Sequence, residues 1–95
     1  MAKAKAVKRE GLAGYLGKCV VIRTVTYHYT GKVKAVAGGF VRLSDAAWIA
    51  DSGRWHNALK DGTWNEVEPY VNDALVAVPA IVDVTEIASC PKAQK

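Results

Sequence analysis

The sequence predicts a mainly β protein, a small five-stranded antiparallel barrel with a short helical insert and a weak N-terminal helix. Three observations carry this expectation. Val, Ile, Thr, Tyr and Phe crowd into runs at residues 18–30, 32–37, 40–44, 74–78 and 81–87, a composition that suits a pleated, half-buried surface. Gly38-Gly39 separates two of those runs and is a hairpin signal, because glycine accepts the positive φ of primed turns. Finally, 95 residues make one domain. A flat sheet of that size would expose an apolar face and two unpaired edges, and closure into a barrel hides them.

Residues 1–14 read as a basic arm. Gly11, Gly14 and Gly17 weaken any helix there, although Leu12, Ala13, Tyr15 and Leu16 can pack one short turn against a core. Residues 18–30 contain no Gly, Pro, Asp or Asn and read as one long strand, which Gly31 ends. Residues 32–37 and 40–44 are then an antiparallel pair across Gly38-Gly39. The apolar character continues through Ala46, Ala47, Trp48 and Ile49. Residues 52–62 read as a helical insert, with Ser52 as N-cap, Trp55 and Leu59 at i and i+4, and Gly62 as the left-handed terminator. One face of it buries Trp55, Ala58 and Leu59, and the other presents Arg54, His56 and Lys60. Trp48 and Trp55 are expected in the core, while Trp64 is left open. Residues 74–78 and 81–87 are two strands around a tight corner at Pro79-Ala80, since proline cannot donate to a ladder. The barrel is expected to span residues 15–88, and residues 89–95 form a tail.

The net charge of +4 sits at the ends. Lys3, Lys5, Lys8 and Arg9 precede the barrel and Lys92 and Lys95 follow it. Between them, seven lysines and arginines face nine acids. The body is therefore slightly acidic, and a basic arm attracts RNA or DNA without sequence preference. Cys19 and Cys90 are too few and too far apart for a secreted disulfide scaffold, so a reducing, cytoplasmic setting is expected. Cys19 among valines reads as buried, Cys90 beside Pro91 as exposed, and a bridge between them stays open. The longest apolar run, residues 74–82, is interrupted by Pro79 and falls short of the roughly 20 residues of a membrane span. No apolar segment follows the basic start, so no secretory signal is expected.

Nothing points to catalysis, and no cofactor is expected. Gly11, Gly14 and Gly17 lack the spacing and the preceding strand of a dinucleotide loop. His28 has no serine or cysteine nucleophile placed beside it. Cys19, His28, His56 and Cys90 have no metal-ligand spacing. Asp45, Asp51 and Asp83 suit caps, turns and rim ion pairs. A non-enzyme is the expectation.

Gly17-Lys18, the long first strand, Thr30-Gly31-Lys32-Val33 and the split last pair of strands (residues 78–84) together resemble the Sm fold. Residues 23–26, 45–54 and 80–83 resemble more closely small Sm-like proteins of phage genomes and of phage-like bacterial regions. The resemblance covers residues 15–88. It implies a homo-oligomeric ring of five to seven copies, in which the fourth strand of one subunit pairs with the fifth of the next. Leu75, Val76, Val78, Ile81, Val82 and Val84 would supply that interface. It implies a scaffold or assembly role, and a virion-associated location if the chain is phage-encoded. Sm rings hold a base with Asp and Asn between strands two and three and with Arg-Gly at the last corner. This chain has Gly38-Gly39 and Pro79-Ala80 there, which offer neither donor nor stacking plane. Nucleic acid would then be met by Lys3, Lys5, Lys8 and Arg9, or by Arg54, His56 and Lys60 on the insert.

Overall fold

In the computed structural model, which describes residues 11–95, the run expected as one long strand folds back on itself. β1 (Cys19–Thr24) and β2 (His28–Ala37) pair antiparallel, with Cys19 opposite Lys32 and Arg23 opposite His28. Thr24 builds the turn between them. Its N–H and its hydroxyl both donate to the Tyr27 carbonyl at 2.8 Å, and its Oγ1 accepts from the Tyr27 N–H at 2.9 Å. A threonine closing a local turn competes with the ladder that its β propensity would favour.

Gly31 does not end a strand, as expected from sequence, but lies within β2. A Cβ there would sit 2.8 Å from the Leu43 Cβ, so glycine lets the backbone of β2 cross close over β3. Beside it the ladder slips: Thr30 faces Ala47 while Lys32 faces Ser44, which leaves one extra residue on β3 (Phe40–Asp51). Asp45 takes up that bulge with φ 49°, a left-handed conformation that aspartate tolerates better than most residues. β3 is therefore bent, and it runs through residues 45–49 as their apolar character suggested.

The bend gives β3 two partners. Its second half pairs with β4 (Glu66–Pro69) and its first half with β5 (Ala74–Ala77). β5 is the expected fourth strand, and β4 is an additional one that the sequence did not announce, making six strands among the described residues where five were expected. A single 3-10 turn, Val78–Ala80, forms the corner that Pro79 predicts, and β6 (Ile81–Glu86) returns to β1. The sheet order is β4-β3-β2-β1-β6, with β5 also on β3, and all pairs are antiparallel. Gly38 (φ 62°) and Gly39 (φ 81°) form the hairpin turn between β2 and β3, as their sequence indicates.

β1 reads Val20-Val21-Ile22 without alternation because both of its faces are covered. Val20 and Ile22 join Val33, Val41, Leu43, Ala46 and Val76 inside the barrel, against which Leu12 and Tyr15 of an N-terminal 3-10 turn (Gly11–Tyr15) pack. Val21 faces the other way, toward Ala47, Ile49, Ala58, Trp64, Val67 and Ile87.

The second cluster lies under α1 (Trp55–Asp61), which Gly62 terminates at φ 71° with its N–H on the Ala58 carbonyl. The N-cap is Arg54 rather than Ser52, and it makes no side-chain cap bond. Asp51 is the turn residue, accepting from the Gly53 N–H at 2.9 Å, while Ser52 donates to the Gly53 carbonyl. Ala58 is buried, whereas Trp55 and Leu59 are only half-buried. Trp64 is the core tryptophan, 2% exposed, and Trp48 is 37% exposed, so the expectation that Trp48 belongs to the core is corrected.

The C-terminal segment is also packed. Cys90 is buried, against expectation, beside Cys19. Lys95 exchanges two backbone hydrogen bonds with Val67, at 2.9 and 3.0 Å, on the outer edge of β4, and Gln94 donates to Glu68.

Thr30 is fully buried and its Oγ1 has no hydrogen-bond partner. An unsatisfied buried hydroxyl costs about 1–3 kcal/mol. Thr30→Val should therefore raise unfolding stability by about 1 kcal/mol in urea titrations. A loss of similar size would show that the hydroxyl is satisfied.

Candidate functional site

Three surfaces collect the exposed chemistry. The first is the pair of strands around the Val78–Ala80 corner. β5 pairs only with β3 and β6 only with β1, so each keeps one unpaired edge among the described residues. The barrel is closed here by the corner itself, not by a ladder between β5 and β6. Leu75 is 52% and Val82 56% exposed. Val76 lies in the barrel core, and Val78, Ile81 and Val84 pack against it half-buried. Leu75 and Val82 therefore offer apolar side chains outward, while Val76 offers that edge its backbone.

Neither strand carries a lysine, and the acids of β6 are neutralised within the chain. Arg23 Nε donates to both Asp83 oxygens, at 2.9 and 3.0 Å, and Arg23 Nη2 donates to Oδ2 as well. These hydrogen bonds hold the Asp83 carboxyl below the usual carboxylate range and raise the Arg23 guanidinium in return. Lys18 pairs with Glu86 at 3.8 Å. Charges that would ordinarily keep an edge strand from pairing are spoken for here.

The second surface is the pair of corners where the resemblance puts a base. The Val78 N–H donates to the Gly39 carbonyl at 2.9 Å, so the Gly38-Gly39 turn and the Pro79-Ala80 corner do meet. They bring no polar side chain with them. Arg54, His56 and Lys60 are exposed around α1, distant from these corners in sequence and carried by a different element. Lys3, Lys5, Lys8 and Arg9 lie outside the described residues. Lys92 pairs with Asp45 at 3.7 Å, and the Lys95 backbone is held by Val67.

The third surface was not anticipated as a site. Tyr27, Tyr29, Trp48 and Tyr70 line a shallow cavity of about 200 Å³. Tyr29 stands directly opposite Trp48 across β2 and β3, and Trp48 opposite Glu68 across β3 and β4. Burial raises the Tyr29 phenol above its usual range, with Tyr70 and Tyr27 adding to the shift. The one available signal was Tyr27-His28-Tyr29, where alternation puts both tyrosines on one face.

Among the described residues no three His, Cys, Asp or Glu side chains converge as a metal site. His28 meets Trp55 in a tilted ring contact, with centroids 5.2 Å apart and planes at 43°. Burial, and then Cys19, push the Cys90 thiol up to about 12, which suppresses the reactive thiolate. No helix among the described residues is long and apolar enough to cross a membrane.

Among solved structures, the chain is similar to a heptameric archaeal Sm protein described for its implications for the eukaryotic snRNP core. The TM-score is 0.57 at 14% identity, over 78% of this chain and 91% of that one. No family model and no curated protein matches the sequence. The chain has an Sm-like fold, mainly β and antiparallel, with a short helix inserted after β3.

Proposed function

We propose that this chain is a non-enzymatic Sm-like subunit that assembles with itself into a ring of five to seven copies and serves as a scaffold, in a phage-related setting. The observation that carries the reading is that, among the described residues, β5 and β6 each keep an unpaired edge, with Leu75 and Val82 exposed and no free charge guarding them. Two complementary edges on one subunit make a heterologous contact, and rotation about a central axis closes it. The heptameric archaeal neighbour with the same fold supports a ring. The phage-related setting rests on the likeness of residues 23–26, 45–54 and 80–83 to phage Sm-like proteins. Such a ring would be cytoplasmic, or virion-associated if phage-encoded.

Val82→Lys tests the reading. A lysine on the β6 edge sets an unpaired ammonium against an apolar neighbour. The multi-subunit particle should fall to single subunits at micromolar concentration in sedimentation velocity, with the far-UV spectrum unchanged. A variant that keeps the wild-type mass would remove β6 from the interface. A second reading, polyanion binding, finds support in the exposed side chains of Arg54, His56 and Lys60 around α1. It lacks support at the two corners, which present no polar side chain.

A further inference from the structure

The aromatic basin needs a reason to exist. Tyr27 is 49%, Trp48 37% and Tyr70 44% exposed, so these rings contribute little to the core and leave apolar surface in water. They are also fixed by one another. Tyr27 meets Trp48 at 5.7 Å between centroids and 88° between planes, and Tyr29 at 6.3 Å and 65°. Tyr29 meets Tyr70 at 6.4 Å and 43°. Rings so inclined stand as walls around a hollow instead of stacking into a flat platform. At about 200 Å³ the hollow is smaller than the roughly 300 Å³ at which pockets for drug-sized molecules begin, so it suits a small headgroup.

Charge selects which headgroup. Among the described residues no lysine or arginine lines the basin. One adjoining hollow, formed by Trp48, Pro69 and Tyr70, is lined also by Glu68, and in the other, which shares Tyr70, Arg42 is paired with Asp73 at 3.8 Å and accompanied by Asp45. Glu68 accepts from the Gln94 amide at 3.2 Å and has no cationic partner among the described residues, so its charge is available. Aromatic faces carry negative potential, and with a carboxylate at the rim they attract cations. A nucleic acid requires the opposite, cations to track its phosphates. A plain ammonium is strongly hydrated, whereas methylation removes its hydrogen-bond donors and presents apolar, positively charged surface.

We infer that the Tyr27, Tyr29, Trp48 and Tyr70 basin binds a methylated ammonium group, of a trimethyllysine side chain or a free quaternary amine. This site is independent of ring formation, since none of its residues lies on β5 or β6.

The test uses the full chain, titrated with choline and separately with 3,3-dimethylbutan-1-ol, the neutral isostere with carbon in place of nitrogen. Binding is followed by calorimetry and by the Trp48 indole N–H resonance, assigned with Trp48→Phe. Choline at millimolar concentration should shift that resonance, and the isostere should bind about tenfold more weakly. Glu68→Gln should weaken choline about threefold. Tyr70→Leu, at an exposed position, should abolish binding without changing the particle mass or the melting temperature. A trimethyllysine peptide that binds more tightly than choline, with its unmodified version silent, assigns a modified protein tail, and equal affinities assign a free amine. Equal binding of choline and isostere would overturn the inference, as would an unmoved Trp48 resonance. A shift of that resonance by single-stranded RNA in place of choline overturns it too. So does a change of particle mass in Tyr70→Leu, which would place the basin between subunits.

Discussion

Trp64→Ala is expected to cost about 3–5 kcal/mol of unfolding free energy, the range for removing a large buried aromatic. Trp64 is 2% exposed and packs beneath α1 among Val21, Ala47, Ile49, Ala58, Val67 and Ile87, with its ring 6.1 Å from that of Trp55. The insert has no side-chain cap at its N-terminus and only seven helical residues, so α1 owes its stability to this contact. A domain of this size holds about 5–15 kcal/mol in all, and the variant should sit close to unfolding. Trp48→Ala removes the same atoms from a ring that is 37% exposed and should cost less, about 1–2 kcal/mol. Urea unfolding of the two variants measures the difference. A larger loss for Trp48 would reverse the assignment of core and surface.

Gly31→Ala is expected to cost about 1–3 kcal/mol through overpacking. The added methyl would meet Leu43 Cβ at 2.8 Å and Cδ1 at 3.2 Å, with no space to shift into between paired strands. Backbone strain plays no part, which separates this glycine from Gly38, where φ is 62° and nothing lies within 4 Å. The clash makes a further demand. Leu43→Ala shrinks the side chain that Gly31→Ala strikes, so the double variant should lose less stability than the sum of the singles, by about 1 kcal/mol or more. Strict additivity would show that the strands do not cross as closely as this.

Much of the architecture was legible because local chemistry and global fold agree at the punctuation marks. Gly38-Gly39, Gly62 and Pro79 each require a special backbone, and each stands at a hairpin, a helix end or a corner. The turn at residues 25–27 was hidden because Val25, Thr26 and Tyr27 look like strand, and the bond that closes it belongs to the Thr24 side chain. The fate of the tryptophans turned on one residue. With strict alternation along β3, Ala47 and Ile49 would share the face of Val41 and Leu43. The bulge at Asp45 sends Ala47 and Ile49 to the cluster under α1 and Trp48 to the face of Tyr29. A one-residue slip exchanges faces, and composition does not reveal where it falls.

The aromatic basin was illegible for a different reason. Its members come from the β1–β2 turn, β2, β3 and the residue after β4, and only the folded sheet brings them together. The burial of Cys90 depends on the chain end folding back, with backbone bonds between Lys95 and Val67 that any residue could make. The edges of β5 and β6, by contrast, were readable as apolar runs without lysine. The structure adds that Arg23 and Lys18 neutralise the acids among them.

The mass of the purified full-length chain, by native mass spectrometry or sedimentation equilibrium at micromolar concentration, bears most directly on self-assembly. A ring requires one dominant species at five to seven times the 10.2 kDa of the chain, unchanged on tenfold dilution. A species at 10.2 kDa, with β5 and β6 unpaired in solution, would contradict it.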